Sequence, residues 1–160
     1  MPVPPMQTTL VLVKPDGVGR ALVGEILARF ERKGLQVVGL KLAHLGKDLL
    51  ERHYGEHKAK SFYPGLIQFM SSGPSVVLAL RGLNAVSIVR GLMGKTFGKD
   101  AAPGTIRGDF GISDSFNLVH GSDSPESAAR ELALFFGPGE VLDYPQGNRG
   151  WIYDVAAELS

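Results

Sequence analysis

The stretch PGTIRGDFGISDSFNLVHGSDS, residues 103–124, concentrates residue types that handle protons and negative charge. His120 closes a short apolar run, Leu118-Val119, and is followed by Gly121. A neutral imidazole keeps one ring nitrogen with a free lone pair. It becomes a usable nucleophile once a partner fixes the proton on the other nitrogen. Upstream, Arg107 offers a permanent charge on a planar donor fork, and Asn117 can both donate and accept. Downstream, Ser124 suits a helix N-cap, Pro125 the first helical position and Glu126 the first turn. His120 is therefore expected where a strand stops and a helix begins, with Gly121 leaving room for a ligand to approach. Taken singly, these residues also fit ordinary roles: a strand-end histidine and a solvated loop arginine.

Other residues can join the same chemistry. Glu131 lies one turn inside the helix that Ser124 opens, on its Ala128–Glu131–Phe135 side, where a carboxylate can point back at the strand end. By spacing alone a surface glutamate on an amphipathic helix is the favoured reading. Phosphoryl transfer asks for positioning and for neutralised charge, so cations and hydroxyls should converge on a phosphate chain. The candidates are Lys14, Arg90, Arg107, Thr96 and Tyr54, with the arginine forks suited to gripping two oxygens. Lys14 ends an apolar run and meets Pro15, which cannot donate to a sheet. Its context, KPDG, lacks the glycines of a GxxxxGK[ST] loop. Phe62 precedes a helix and offers a π-face to any nucleobase, although a phenylalanine is more often core.

The elements that would position these residues are legible from periodicity. Residues 8–13, TTLVLV, read as a buried strand, as do 35–45, 76–80 and 117–119. Helices are expected over 21–33, 48–58, 62–72, 85–93 (with Asn84 as N-cap) and 125–136. Leu49, Leu50, His53, Tyr54 and His57 share one face of the second. A long loop spans 94–115, and residues 137–160 form an irregular tail containing Trp151. The order β, α, β, two short helices, β, α, β, α fits an α+β, ferredoxin-like, four-stranded antiparallel sheet with helices packed on one face.

Bulk properties narrow the class. The 160 residues are most simply one domain, here 7–160 including the tail, after a disordered tip over 1–6. With 17 basic and 16 acidic residues the net charge is +1, too balanced for a dedicated nucleic-acid binder. No apolar run reaches the ~20 residues of a membrane span, and MPVPPM has no signal-peptide pattern. There is no cysteine, which removes disulfides and thiolate zinc sites and is compatible with the cytoplasm, the expected location.

From about Thr8 to Asp154 the chain resembles the nucleoside diphosphate kinases. The resemblance is carried by LVLVKPDGV, LVGEILARFERKG, HYGEHKAKSFYPGL, SGPSVVLAL, PGTIRGDFG, NLVHGSDS and WIYD, in order and without large gaps. It implies the same ferredoxin-like fold and a transferase, a kinase passing the terminal phosphate of a nucleoside triphosphate, usually ATP, to a nucleoside diphosphate. The phosphate would rest in between on His120, through Nδ1. It implies that Lys14 and Asn117 hold the ribose hydroxyl and terminal phosphate region. Tyr54, Arg90, Thr96 and Arg107 would contact phosphates, Phe62 would underlie the base, and Glu131 would orient the histidine. Mg2+ would come in on the nucleotide phosphates, with Asp123 reached through water. The resemblance of the tail favours a homo-oligomer, a hexamer over a tetramer.

Two positions depart from the family pattern. Asp114 stands where an apolar residue, commonly valine, faces the base, and Gly98 where a proline is common in a loop that packs at subunit contacts. The competing class is a non-catalytic ferredoxin-like module, a regulatory nucleotide binder or a nucleic-acid binder. Such a loss of catalysis would show as a missing His120, Lys14 or Arg107, and all three are present.

Overall fold

The apolar run after Gln7 becomes the centre of the molecule. In the computed structural model, which describes residues 6–159, it forms most of strand β1 (Met6–Val13). The strand opens at Met6; the rest of the tip expected over 1–6 lies outside the described residues. A single helical turn, α1 (Pro15–Gly19), follows Lys14, with Pro15 at its first position. Then α2 (Val23–Lys33) leads to β2 (Gln36–His44). Two short helices follow, α3 (Lys47–His53) and α4 (Tyr63–Met70), before β3 (Pro74–Leu83). α5 (Ala85–Met93), α6 (Ile106–Phe110), β4 (Val119–Gly121) and α7 (Pro125–Phe135) complete the main body. The sheet order is β2-β3-β1-β4, all antiparallel. With α2 and α5 as the crossovers this is the ferredoxin-like βαββαβ topology.

Helices cover both faces of the sheet, not one. Leu10, Val11, Leu12 and Val13 are all fully buried. Val11 and Val13 pack with Ile26 and Phe30 of α2 and Val89 of α5. Leu10 and Leu12 pack with Leu50 of α3, Met70 of α4 and Phe135 of α7. A strand buried on both sides has no solvent face to alternate with, so TTLVLV reads as a continuous apolar run. The short helices between β2 and β3 supply the second layer.

The remaining differences are local. Asn84 precedes α5, but its side chain makes no capping bond; it stands at φ 53, a left-handed turn that asparagine tolerates. The loop over 94–115 contains α6, capped by Thr105, whose Oγ1 accepts from the Gly108 amide at 3.0 Å. The tail is laid along β2: the Leu142 amide donates to the Val38 carbonyl at 2.8 Å, and Gln36 Nε2 to the Tyr144 carbonyl at 2.9 Å. It ends in two single turns, α8 (Arg149–Ile152) and α9 (Val155–Glu158).

Candidate active site

Register decides what His120 faces. It pairs with Leu12, so its side chain shares Leu12's side of the sheet, toward α3 and α7. Its neighbours Val119 and Gly121 pair with Val13 and Val11 and face α5. On α7 the buried stripe Ala128, Glu131, Phe135 turns Glu131 onto the same face as His120. The two meet, with His120 Nε2 to Glu131 Oε1 at 2.7 Å. Ser122 Oγ donates to the other carboxylate oxygen. Burial alone would raise the Glu131 pKa. The hydrogen bond and charge of His120, with the Ser122 hydroxyl, outweigh it and hold the carboxyl below its usual value. An ionised Glu131 accepts a hydrogen bond from Nε2–H, which keeps the proton on Nε2 and leaves the lone pair on Nδ1.

A second imidazole stands beside this pair. His53, at the end of α3, is 4% exposed, and its ring meets His120 edge-on at 4.7 Å. Its Nδ1 is 3.4 Å from Glu131 Oε1, and neither ring nitrogen makes a hydrogen bond. Burial, then the His120 charge, push its pKa down to about 3, so it is neutral. Next to it the Tyr54 hydroxyl is buried without a partner; burial, then the Glu131 charge, raise its pKa. His120, Tyr54, Arg90, His57, Asp123 and Arg130 line one open cavity of about 150 Å3.

Behind β4 the chain is held in an unusual shape. Leu118 has φ 73, and the Val119 amide closes a three-residue turn onto the Asn117 carbonyl at 2.8 Å. A positive φ at the centre marks the rare, strained form of γ-turn. It is fixed from both sides: the Leu118 amide donates to Asp16 Oδ2 at 3.0 Å, and its carbonyl accepts from the Lys14 amide at 2.8 Å. The strand expected over 117–119 therefore begins only at Val119. Asn117 instead faces inward, where Lys14 Nζ donates to its Oδ1 at 2.8 Å and its Nδ2 donates to the Thr96 carbonyl at 3.0 Å.

Arg107 is 4% exposed and directs its fork at the backbone. Nε donates to the Asn117 carbonyl at 3.1 Å, Nη1 to Gly94 at 3.1 Å and Nη2 to Val119 at 2.7 Å. Burial and the Arg90 charge lower its pKa to about 10. Lys14 is lowered to about 8 by burial and then by Arg107, with Asp16 opposing. Cations crowded under a poorly solvated surface favour an anion arriving there.

The other expected residues gather around this centre to different degrees. Arg90 is exposed, donates to the Gly121 carbonyl at 3.3 Å, and also borders a wide depression shared with Thr96. Phe62 is 52% exposed and lies against His57, at 5.6 Å between rings. Asp123 is exposed on the His120 cavity. Asp114 is paired with Lys99 at 2.9 Å.

Two glycines have other reasons than expected. A Cβ at Gly121 would stand 2.5 Å from Met93 Sδ and 3.2 Å from Val89. Its bare backbone lets α5 close on β4, on the face away from the cavity, and does not open a path for a ligand. A Cβ at Gly98 would fall 1.8 Å from the Gly111 carbonyl oxygen, so a proline there has no space. Sequence reasoning missed Ser122 and His53. The short step from His120 to Ser122 on one strand edge was the available signal for the serine; His53 carried only a place on an apolar helix face.

A family model described as nucleoside diphosphate kinase matches residues 7–141. The chain belongs to that family. The nucleoside diphosphate kinase of Carboxydothermus hydrogenoformans is 52% identical over 149 residues, 93% of this chain and 100% of the relative. That of Thermus thermophilus is 56% identical over 137 residues, 86% of this chain and 100% of the relative. The solved structure of a halophilic nucleoside diphosphate kinase from Halobacterium salinarum in complex with CDP superposes with a TM-score of 0.90. It is 46% identical and covers 92% of this chain and 98% of its own. This nucleoside diphosphate kinase family enzyme is a transferase that moves the terminal phosphate of a nucleoside triphosphate to a nucleoside diphosphate. No helix among its described residues is long and apolar enough to cross a membrane.

Proposed function

We propose that the enzyme carries the transferred phosphate on Nδ1 of His120 and works by a ping-pong cycle. The carrying observation is the 2.7 Å contact of Nε2 with an ionised Glu131, which leaves Nδ1 as the nucleophilic nitrogen beside the cavity. The Nδ1 lone pair attacks the terminal phosphorus, the bond to the bridging oxygen breaks, and the diphosphate leaves with that electron pair. Positive charge growing on the ring is stabilised by Glu131 through the Nε2 proton. A second diphosphate then attacks the phosphoimidazole and reverses the step.

Around this centre, Arg90 and Tyr54 contact the phosphate chain from the cavity wall and Thr96 from the adjoining depression. Arg107 has three of its five N–H bonds committed to carbonyls, so only the remaining two are available to phosphate oxygens. Lys14 and Asn117, already joined at 2.8 Å, hold the ribose hydroxyl and terminal phosphate region. Phe62 underlies the base. Asp123 is exposed on the cavity and makes no hydrogen bond or ion pair among the described residues, which suits a water-mediated contact to Mg2+. One free carboxylate is too little for an all-protein site, in keeping with an ion that keeps waters and rides on phosphates. When bound, Mg2+ supplies neutralisation of phosphate charge. A cytoplasmic location belongs to this reading, supported by the cysteine-free sequence.

The test is phosphate transfer from ATP to GDP, CDP, UDP and dTDP in parallel. Stacking on Phe62 reads no base edge, so catalytic efficiencies should lie close together. A preference above about 3 kcal/mol in transition-state energy for one base would sink the stacking model. A pH effect is expected from Lys14. Its pKa of about 8 in the free enzyme means it loses charge as pH rises through that value. Because kcat/KM reports free-enzyme groups, it should fall above pH 8, while kcat, measured with phosphates already holding the charge on Lys14, should fall later. Coincident profiles for the two constants would remove Lys14 from phosphate binding.

We further propose a homo-oligomer, a hexamer in preference to a tetramer. Support comes from apolar residues left bare on the single chain: Ile112 is 94% exposed, Trp151 95% and Leu42 66%. Light scattering should give six chains. A monomer at micromolar concentration would refute the assembly, and a tetramer would refute the argument from the tail.

A further inference from the structure

We propose that His53, His120 and Glu131 form an inhibitory site for a borderline transition-metal dication of the Zn2+ type. The reaction as derived gives His53 no task, yet the fold buries it to 4% exposure with both ring nitrogens unpartnered, against the two groups that matter most. One ligand atom from each of His53, His120 and Glu131 lies within 4.8 Å of the others. Two imidazoles and a carboxylate, with a fourth position open to water, are the donor set of a three-ligand zinc site. The separation of His53 Nδ1 from Glu131 Oε1 is 3.4 Å. Two ligands each about 2.05 Å from a tetrahedral ion stand about 3.4 Å apart, so this side of the site is already at metal spacing. The other side needs His120 Nε2 to draw back from its 2.7 Å contact with the carboxylate. The open position falls on the cavity beside Asp123 and Arg90.

The consequence follows from proton placement. To coordinate through Nε2, His120 must give up the proton held there, and the neutral ring carries it on Nδ1 instead. No net proton is released. An Nδ1–H has no lone pair, so the metal switches off the proposed nucleophile without covering it. Mg2+ does not compete for this set, since it prefers six oxygens in an octahedron. The silencing rests on the role proposed for His120, whereas the binding rests on geometry alone.

The decisive measurement uses the full-length, dephosphorylated, chelator-stripped protein in excess Mg2+. Titration with Zn2+ by calorimetry, and with Co2+ by its visible spectrum, should give one ion per chain in a four-coordinate N/O environment. His53→Ala and the bulk-preserving His53→Phe should each weaken Zn2+ binding by at least about tenfold. Unchanged affinity in both folded variants, or no binding at all in the parent protein, overturns the site. For the silencing, Zn2+-loaded protein is freed of excess metal before ATP is added, so that zinc cannot act through the nucleotide. Labelling should be lost and then restored by chelation. A bound ion with undiminished labelling overturns the silencing while leaving the site itself standing.

Discussion

His120→Ala should abolish the phosphoenzyme. The parent protein, given labelled ATP and no acceptor, should hold one phosphate in an adduct that is labile in acid and stable in base, as a phosphoramidate is and a phosphoserine is not. Any nucleoside diphosphate should discharge it. Alanine removes both ring nitrogens, and no neighbour can take over. His53 borders the cavity but is only 4% exposed, and His44 is turned to the Ser71 carbonyl at 2.7 Å. His57 lies against Phe62. Variants of these three should therefore still form the adduct. Turnover in His120→Ala should fall by at least about 10⁴-fold, the scale seen when a nucleophile is deleted from a site whose other parts remain. Nucleotide binding should survive, because Lys14, Arg90 and Phe62 are untouched. Undiminished labelling in His120→Ala, or an adduct that survives acid, would show that another residue carries the phosphate.

That prediction was available from the sequence because the residues around His120 together carry the family resemblance; helical spacing put Glu131 on the Ala128 and Phe135 side, but only the resemblance favoured it over a surface glutamate. The ferredoxin-like class came from the alternation of strands and helices together with the family resemblance. Less visible was everything set by tertiary register. Which way His120 points depends on its pairing with Leu12 across the sheet, a contact between residues 108 positions apart. The second helical layer was hidden because residues 48–72 read as connecting helices, with nothing local to say which face of the sheet they cover. The γ-turn at Leu118 was illegible for a different reason. A leucine at positive φ is sterically disfavoured, so its sequence argues for a strand, and it is held in place by tertiary bonds to Asp16 and Lys14 and by Arg107 on the flanking carbonyls. Gly121 looked like room for a ligand and Gly98 like a missing proline in a subunit-contact loop, when each marks a close approach to a partner distant in sequence.

Arg107→Met should be the most destabilising single change among the expected phosphate contacts. From sequence its fork looks like a grip for phosphate oxygens, and in the fold three of its N–H bonds tie together three pieces of backbone. Gly94 ends α5, Asn117 opens the γ-turn, and Val119 begins the strand that carries His120. Methionine keeps much of the volume but leaves those buried carbonyls without a charged donor. Hydrogen bonds to a charged group are worth about 1.5–3 kcal/mol each. Incomplete relaxation and the relief of a buried charge both cut the sum, so a loss of about 3–5 kcal/mol is expected. Denaturant unfolding at one fixed protein concentration measures it, since assembly would otherwise shift the midpoint. Arg107→Lys should recover only part, because an ammonium cannot span three carbonyls as a planar fork does. Arg90 provides the contrast. It is exposed, with one 3.3 Å contact to the Gly121 carbonyl, so Arg90→Met should change stability by no more than about 0.5 kcal/mol while raising KM for nucleotides. If Arg107→Met instead unfolds like the parent and only nucleotide affinity drops, the fork serves the ligand and the backbone clamp is incidental. If stability falls as expected, His120 owes its position to an arginine whose main partners are the chain itself, and the activity lost with Arg107 is lost largely through the strand that it anchors.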